Sequence, residues 1–311
     1  MSKWGNSKEL TQASYGLVRE HQGMNRWAVR AAIHGAAVGG IGVLIGLALM
    51  FGGEVMDANA GDAGSGAGVA GIGLGVVIVV LALIAGLTAA NLQLAGLVRV
   101  TDDVLHGREP DEQAARDAAR SRVGTLTAWS AISVAMSGLV AAIRGGGQGG
   151  VVSSIVRSLL AGVVAVVWSV VTTLVMPVIV LEQAGSVAAI KRSTAIIRTT
   201  WGEALLGSVR IGARFFLVFT LPGLLLLVGG IALGIIVGGV AIGAGVLMAL
   251  VGLALIVVGA VKAATCRTVF GVALYRWAIG DGAMGPFSEA DLRGAVAVKD
   301  GAVKDGAVPV G

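Results

Sequence analysis

The chain has 311 residues, 56% hydrophobic and only 13% charged, with a formal net charge of +5. A soluble domain is about one-quarter charged, so this deficit excludes an ordinary water-soluble globule and points to lipid as the solvent. Fifty glycines against five prolines exclude collagen and proline-rich disorder, and a lone cysteine, Cys266, excludes an internal disulfide.

The apolar residues are grouped into long runs, which predicts an all-α, polytopic membrane helix bundle. Residues 1–27 are polar and of mixed charge, too long and too mixed for a secretory signal, so the first span is expected to remain as an uncleaved anchor. Leu10, Leu17, Val18 and His21 fall on one helical face. This predicts a short interfacial helix within a cytoplasmic leader, with Trp27 at headgroup level.

Six transmembrane helices are expected, at 28–51, 69–98, 123–143, 151–181, 205–228 and 240–261, within a membrane domain over 28–262. The first connection holds Glu54, Asp57 and Asp62 and no basic residue. In the second, Pro110 with Asp111 and Glu112 reads as a helix start, and that helix is expected to end near Arg122. The glycine-rich turn RGGGQGG closes the third span. The fourth exceeds the roughly 20 residues a bilayer needs, so tilt or a kink at Pro177 must absorb the excess. Pro222 marks a second kink in the fifth span, which a glycine-rich turn follows. Residues 263–295 are expected as a cytoplasmic helical extension and 296–311, which repeat VKDGA, as a disordered tail.

Orientation follows from where the 23 Lys and Arg residues fall. The first, third and fifth connections hold only Arg144, whereas the leader, the second and fourth connections and the C-terminal region are basic. Cytoplasmic loops collect such residues, so both termini are expected inside a plasma (inner) membrane. The positive charge is then a topological and lipid-surface feature, and no nucleic-acid partner is expected.

Between the fourth and fifth spans lies MPVIVLEQAGSVAAIKRSTAIIRTTW, residues 176–201. Val187, Ile190, Thr194, Ile197 and Trp201 recur at helical spacing there, Lys191, Arg192 and Arg198 lie off that stripe, and Ser186 is available as an N-cap. Such a helix suits the inner headgroup plane, where its cations meet anionic lipid headgroups or a partner's acidic segment. Arg210 and Arg214, one turn apart at the start of the fifth span, are expected to face headgroups as well. The pattern Ser193-Thr194-Ala195-Ile196-Ile197-Arg198 echoes Ser14-Tyr15-Gly16-Leu17-Val18-Arg19. A weaker copy, 114–122, precedes the third span, which suggests three parallel hairpin repeats, each an interfacial helix followed by two spans.

Polar residues inside the spans are few. Arg157 lies near the outer end of the fourth span, where it can snorkel or pair with the outer acidic loop. Asn91 and Gln93 in the second span can join helices or line a pathway. Gly35 with Gly39, Gly42 with Gly46, and Gly239 with Gly243 have the four-residue spacing of closely packed membrane helices. The three histidines, His21, His34 and His106, are scattered. No H-E-x-x-H, nucleophile elbow or phosphate loop is present. No cofactor or metal is expected, and the chain is expected not to be an enzyme.

The stretch from Trp168 to Gly212 resembles an uncharacterised prokaryotic family of six-span membrane proteins, a domain of unknown function. The resemblance rests on Pro177, Val178 and Glu182, then Lys191, Arg192 and Ser193, then Trp201, Gly202 and Glu203. The stretches ASYGLVREHQ, RVGTLTAWSAIS and ALYRWAIGDGAMGPFSEADL are similar too, so the likeness spans about residues 10–295. A looser similarity connects the 176–201 stretch with membrane domains of glycerophosphodiester phosphodiesterases. The resemblance implies a prokaryotic plasma-membrane protein and assigns no activity. The sequence therefore supports a non-enzymatic protein that binds lipid or partner proteins in envelope organisation or assembly, with another protein or a second copy of this chain (a homo-oligomer) as the candidate protein partner; a transporter or permease for a small solute or lipid is the alternative.

Overall fold

A computed structural model describes residues 14, 16–21, 23–60, 66–145, 151–200, 215–237, 241–287 and 292. Among them every regular element is helical: α1 (Gly23–Ala60), α2 (Gly66–Leu105), α3 (Glu112–Ser121), α4 (Val123–Gly145), α5 (Val151–Thr172), α6 (Val175–Leu181), α7 (Ser186–Thr200), α8 (Leu221–Val237) and α9 (Ala241–Ala278). Valine and glycine are poor helix formers in water. In lipid every backbone N–H and C=O must be paired within its own segment, which forces such sequences into helices.

Six helical stretches among the described residues are long and apolar enough to cross a membrane: Gly23–Gly52, Gly68–Leu105, Val123–Gly145, Ser153–Leu181, Phe216–Ile236 and Ile242–Ala278. The chain is a multi-pass membrane protein. Helices α1, α2, α8 and α9 run past the ends read from hydropathy. Helix α8 includes Gly229, Gly230 and Gly234, so this part of the glycine-rich stretch expected as a turn after the fifth span is helical. The expected tail at 296–311 lies outside the described residues.

Both proline sites interrupt an α-ladder. Helices α5 and α6 are separated at Thr173 and Leu174, and Thr173 supplies the carbonyl that Pro177, lacking an N–H, cannot bond. Before Pro222 the chain widens into a π-helical turn, Phe216–Thr220, which makes room for the proline ring against the preceding turn.

The chain divides into two compact units. The first comprises residues 30–96 and 113–190. Its α1 and α2 meet through small residues: a methyl group on Gly86 would come within 2.6 Å of the Gly39 Cα, and one on Gly46 within 2.8 Å of the Gly75 carbonyl. The four-residue glycine spacing in α1 therefore marks a backbone-to-backbone contact. Trp129 of α4 stacks on Trp168 of α5 at 5.8 Å between ring centroids. Gln183, with φ of 55°, turns the chain after α6, and Arg122 Nη2 donates to the carbonyls of Gln183 and Ala184.

The second unit comprises residues 1–29, 97–112 and 191–311. A methyl on Gly223 of α8 would come within 2.7 Å of the Gly252 carbonyl of α9, and Gly230 and Gly245 approach as closely. Gly243, expected at a close contact, faces open space, and Gly239 lies outside the described residues. The two halves of α9 differ. Up to Val258 it exposes Ile242, Leu247, Leu250 and other large apolar residues, as a helix facing lipid does; from Cys266 to Trp277 it is buried on nearly all sides. Trp27, expected at headgroup level, is 1% exposed. Its indole belongs to the core of this unit, where so large a ring loses the most water-accessible area.

Candidate functional site

The charged ends of α2 and α9, both within the second unit, close in the same way. After α2, Gly107 donates its N–H to Val104 O (3.0 Å) and Arg108 to Asp103 O (2.8 Å). After α9, Gly280 donates to Trp277 O (3.2 Å) and Asp281 to Arg276 O (3.1 Å). These are two Schellman closures, each with glycine in the left-handed region, φ 69° at Gly107 and 98° at Gly280. Each also carries a side-chain bridge across the closure, with the charges reversed. Arg108 Nε donates to Asp103 Oδ1 at 3.0 Å, whereas Arg276 Nη1 donates to Asp281 Oδ2 at 3.1 Å.

Asp102 joins the two ends. Arg276 grips it with both edges of the guanidinium, Nε to Oδ1 at 2.6 Å and Nη2 to Oδ2 at 2.9 Å. Such a fork is the strongest geometry available to this pair. Arg108 Nη2 reaches Asp102 Oδ2 at 3.3 Å, and Arg99 Nη2 lies 3.5 Å from Asp103 Oδ1. His106 Nδ1 lies 2.7 Å from the Asp102 backbone carbonyl; because a carbonyl only accepts, this nitrogen carries the proton. The carboxylates of Asp102 and Asp103 are inside, with side chains 1% and 9% exposed, and the side chains of Arg99 and Arg108 are 41% and 49% exposed. The charges of Asp102 and Asp103 are enclosed with Arg99 and Arg108 outside them, while Asp281, 36% exposed, lies on the outer side of Arg276.

The sequence-selected residues fall elsewhere. On α7 Lys191 and Arg198 are exposed and Arg192 is partly so. The buried stripe of that helix is Ser186, Ala189, Ser193, Ile196 and Ile197, while Val187 is 59% exposed. The protein-facing side thus keeps Ile197 of the expected stripe but loses Val187 and takes in Ser186, Ala189, Ser193 and Ile196; small side chains among them let a membrane helix approach its neighbours. The Ser186 hydroxyl, expected to cap α7, donates to Thr125 O at 2.7 Å. Arg210, Arg214, Trp201, Gly202 and Glu203 lie outside the described residues. Arg157 is partly exposed on α5 and Gln93 partly exposed on α2. Asn91 is buried and donates from Nδ2 to Ser130 Oγ at 3.0 Å, joining α2 to α4 in the first unit.

Sequence reasoning missed Arg99, Asp102, Asp103, Arg108, Arg276 and Asp281. A signal was there: Asp103-x-x-x-Gly107-Arg108 and Arg276-x-x-x-Gly280-Asp281 are one pattern with its charges exchanged. Among the described residues no group of His, Cys, Asp and Glu is arranged to hold a metal ion.

A family model for a family of unknown function (DUF6159) matches residues 75–286. The chain belongs to that family. The matched stretch begins within α2 and contains every member of the charged cluster, from Arg99 to Asp281. No curated protein and no solved structure matches the chain.

Proposed function

We propose that this membrane protein is not an enzyme and binds anionic lipid, or an acidic partner protein, at the cytoplasmic face of the plasma membrane, in support of envelope organisation or assembly. The observation that carries the reading is α7. It buries a stripe of small and aliphatic residues and leaves Lys191 and Arg198 exposed, with Val187, Ala188 and Ala195 on the outer side. A helix that is anchored on one side and presents cations beside small and apolar groups on the other suits a surface of lipid headgroups. The reading requires no cofactor.

Replacing Lys191, Arg192 and Arg198 together by Gln removes three charges, two of them at exposed positions. It is expected to lower affinity for anionic lipid by up to about a hundredfold, read as retention in native mass spectrometry, given about 1 kcal/mol per basic residue near a charged membrane surface, without unfolding the bundle. Undiminished retention would refute this reading. A transporter for a small solute or lipid is the competing class, and protein-dependent flux into sealed proteoliposomes would replace the proposal with that one.

A further inference from the structure

The geometry points to a second, more specific site: Arg99 and Arg108 form a binding site for one phosphate group at the charged end of α2. Both guanidiniums sit on a single oxygen. Arg108 Nη2 lies 2.9 Å from Asp103 Oδ1 and Arg99 Nη2 lies 3.5 Å from the same atom. Two forks so placed are close enough for one tetrahedral anion to accept from both.

The carboxylate that holds them is 9% exposed, whereas the arginines are 41% and 49% exposed, so an anion arriving from outside meets donors before it meets Asp103. Asp102 adds little repulsion, because both of its oxygens are taken by Arg276. Counting Asp281, which also pairs with Arg276, three guanidiniums face three carboxylates, so the ligand is held by directed donors and not by surplus charge.

Pre-organisation separates this site from the surface of α7. An arginine free in solvent must give up rotamer freedom when it binds, whereas one already held by a buried carboxylate has lost much of that freedom on folding. Here Arg108 is fixed by its backbone closure onto Asp103 O and by side-chain bonds to both aspartates. The site is therefore suited to selecting a phosphate group, as against attracting any anionic surface. A phosphate can come from a lipid headgroup or from solution, and the chemistry is shared.

The test uses the full chain. Inorganic phosphate is titrated against detergent-solubilised protein, and retention of phosphatidylglycerol is compared with that of a phosphate-free neutral lipid in nanodiscs. Arg99→Gln leaves Asp103 paired with Arg108 and is expected to weaken phosphate or phosphatidylglycerol binding about tenfold, the scale of one lost charge-assisted hydrogen bond. If inorganic phosphate binds and Arg99→Gln lowers its affinity, the ligand is a soluble phosphate. If only phosphatidylglycerol is retained, and less so by the variant, it is a headgroup.

Wild-type binding at background with both probes, or Arg99→Gln binding as tightly as wild type, overturns the proposal. Should Arg99→Gln fail to fold, Arg99→Lys decides: it keeps the charge and loses the fork, and unchanged affinity overturns the site. The triple α7 variant is expected to leave inorganic phosphate affinity intact, so failure here and failure of the α7 reading are distinguishable.

Discussion

Asp102 is the residue on which the charged cluster turns. With 1% of its side chain exposed, its charge is tolerable only while guanidiniums replace the water it has lost. Arg276→Ala removes the bidentate partner and leaves Arg108 as a longer one at 3.3 Å. Breaking a buried pair costs about 3–5 kcal/mol, and the remaining partner places the expected loss near the low end, about 3 kcal/mol, read by denaturant or thermal unfolding in detergent. Arg276→Lys is expected to fall between, because an ammonium cannot bond both carboxylate oxygens in the fork geometry. A loss under about 1 kcal/mol for Arg276→Ala, the range of a surface pair, would mean that the cluster is solvated in the working protein. The local half of this arrangement was legible: the two glycine closures and their exchanged charges are spelled out within six-residue windows. The long-range half was not, because Asp102 and Arg276 are 174 residues apart and nothing in either window names the other.

At the scale of elements, glycine decides how closely helices pack, and not every glycine does so. A methyl on Gly252 would lie 2.6 Å from the Leu227 nitrogen, whereas Gly40 in α1 has nothing within 4 Å. Gly252→Ala is therefore expected to destabilise α8 against α9 by about 1–3 kcal/mol, the usual cost of overpacking, while Gly40→Ala leaves the melting temperature unchanged or raises it slightly. Equal effects of the two substitutions on detergent unfolding would remove the distinction. The spacing of Gly35, Gly39, Gly42 and Gly46 made the first hairpin readable from sequence. The third was misread at Gly243, because fifty glycines offer more four-residue pairs than there are close contacts. The elements also explain Pro177 and Pro222: each sits just after a place where the ladder already departs from α geometry, so the helix continues past the proline.

At the scale of the whole molecule, each of the three hairpins closes on a contact between its own two spans: α1 with α2 through glycine, α4 with α5 through Trp129 and Trp168, α8 with α9 through glycine again. The leader and α7 copies of the short repeat bury equivalent positions, Ser14, Leu17 and Val18 in one and Ser193, Ile196 and Ile197 in the other, and both expose the arginine that follows. The charge asymmetry predicts that the connection before α4 is cytoplasmic and the one after it is outside. In a Cys266→Ala background, Arg120→Cys is expected to react with an impermeant thiol reagent only after the membrane is opened, and Gly145→Cys without opening; the reverse pattern would invert the orientation. The sequence by itself determined the solvent, the number of spans and the expected side of each connection, because hydropathy, length and charge bias act locally and add along the chain. Only the tertiary structure decided which face of each helix meets protein, since in a membrane both lipid and core are apolar and periodicity cannot separate them. That is why Trp27 lies inside, why the buried stripe of α7 runs through Ser186, Ala189 and Ser193, and why charges at the ends of two distant helices close on one aspartate.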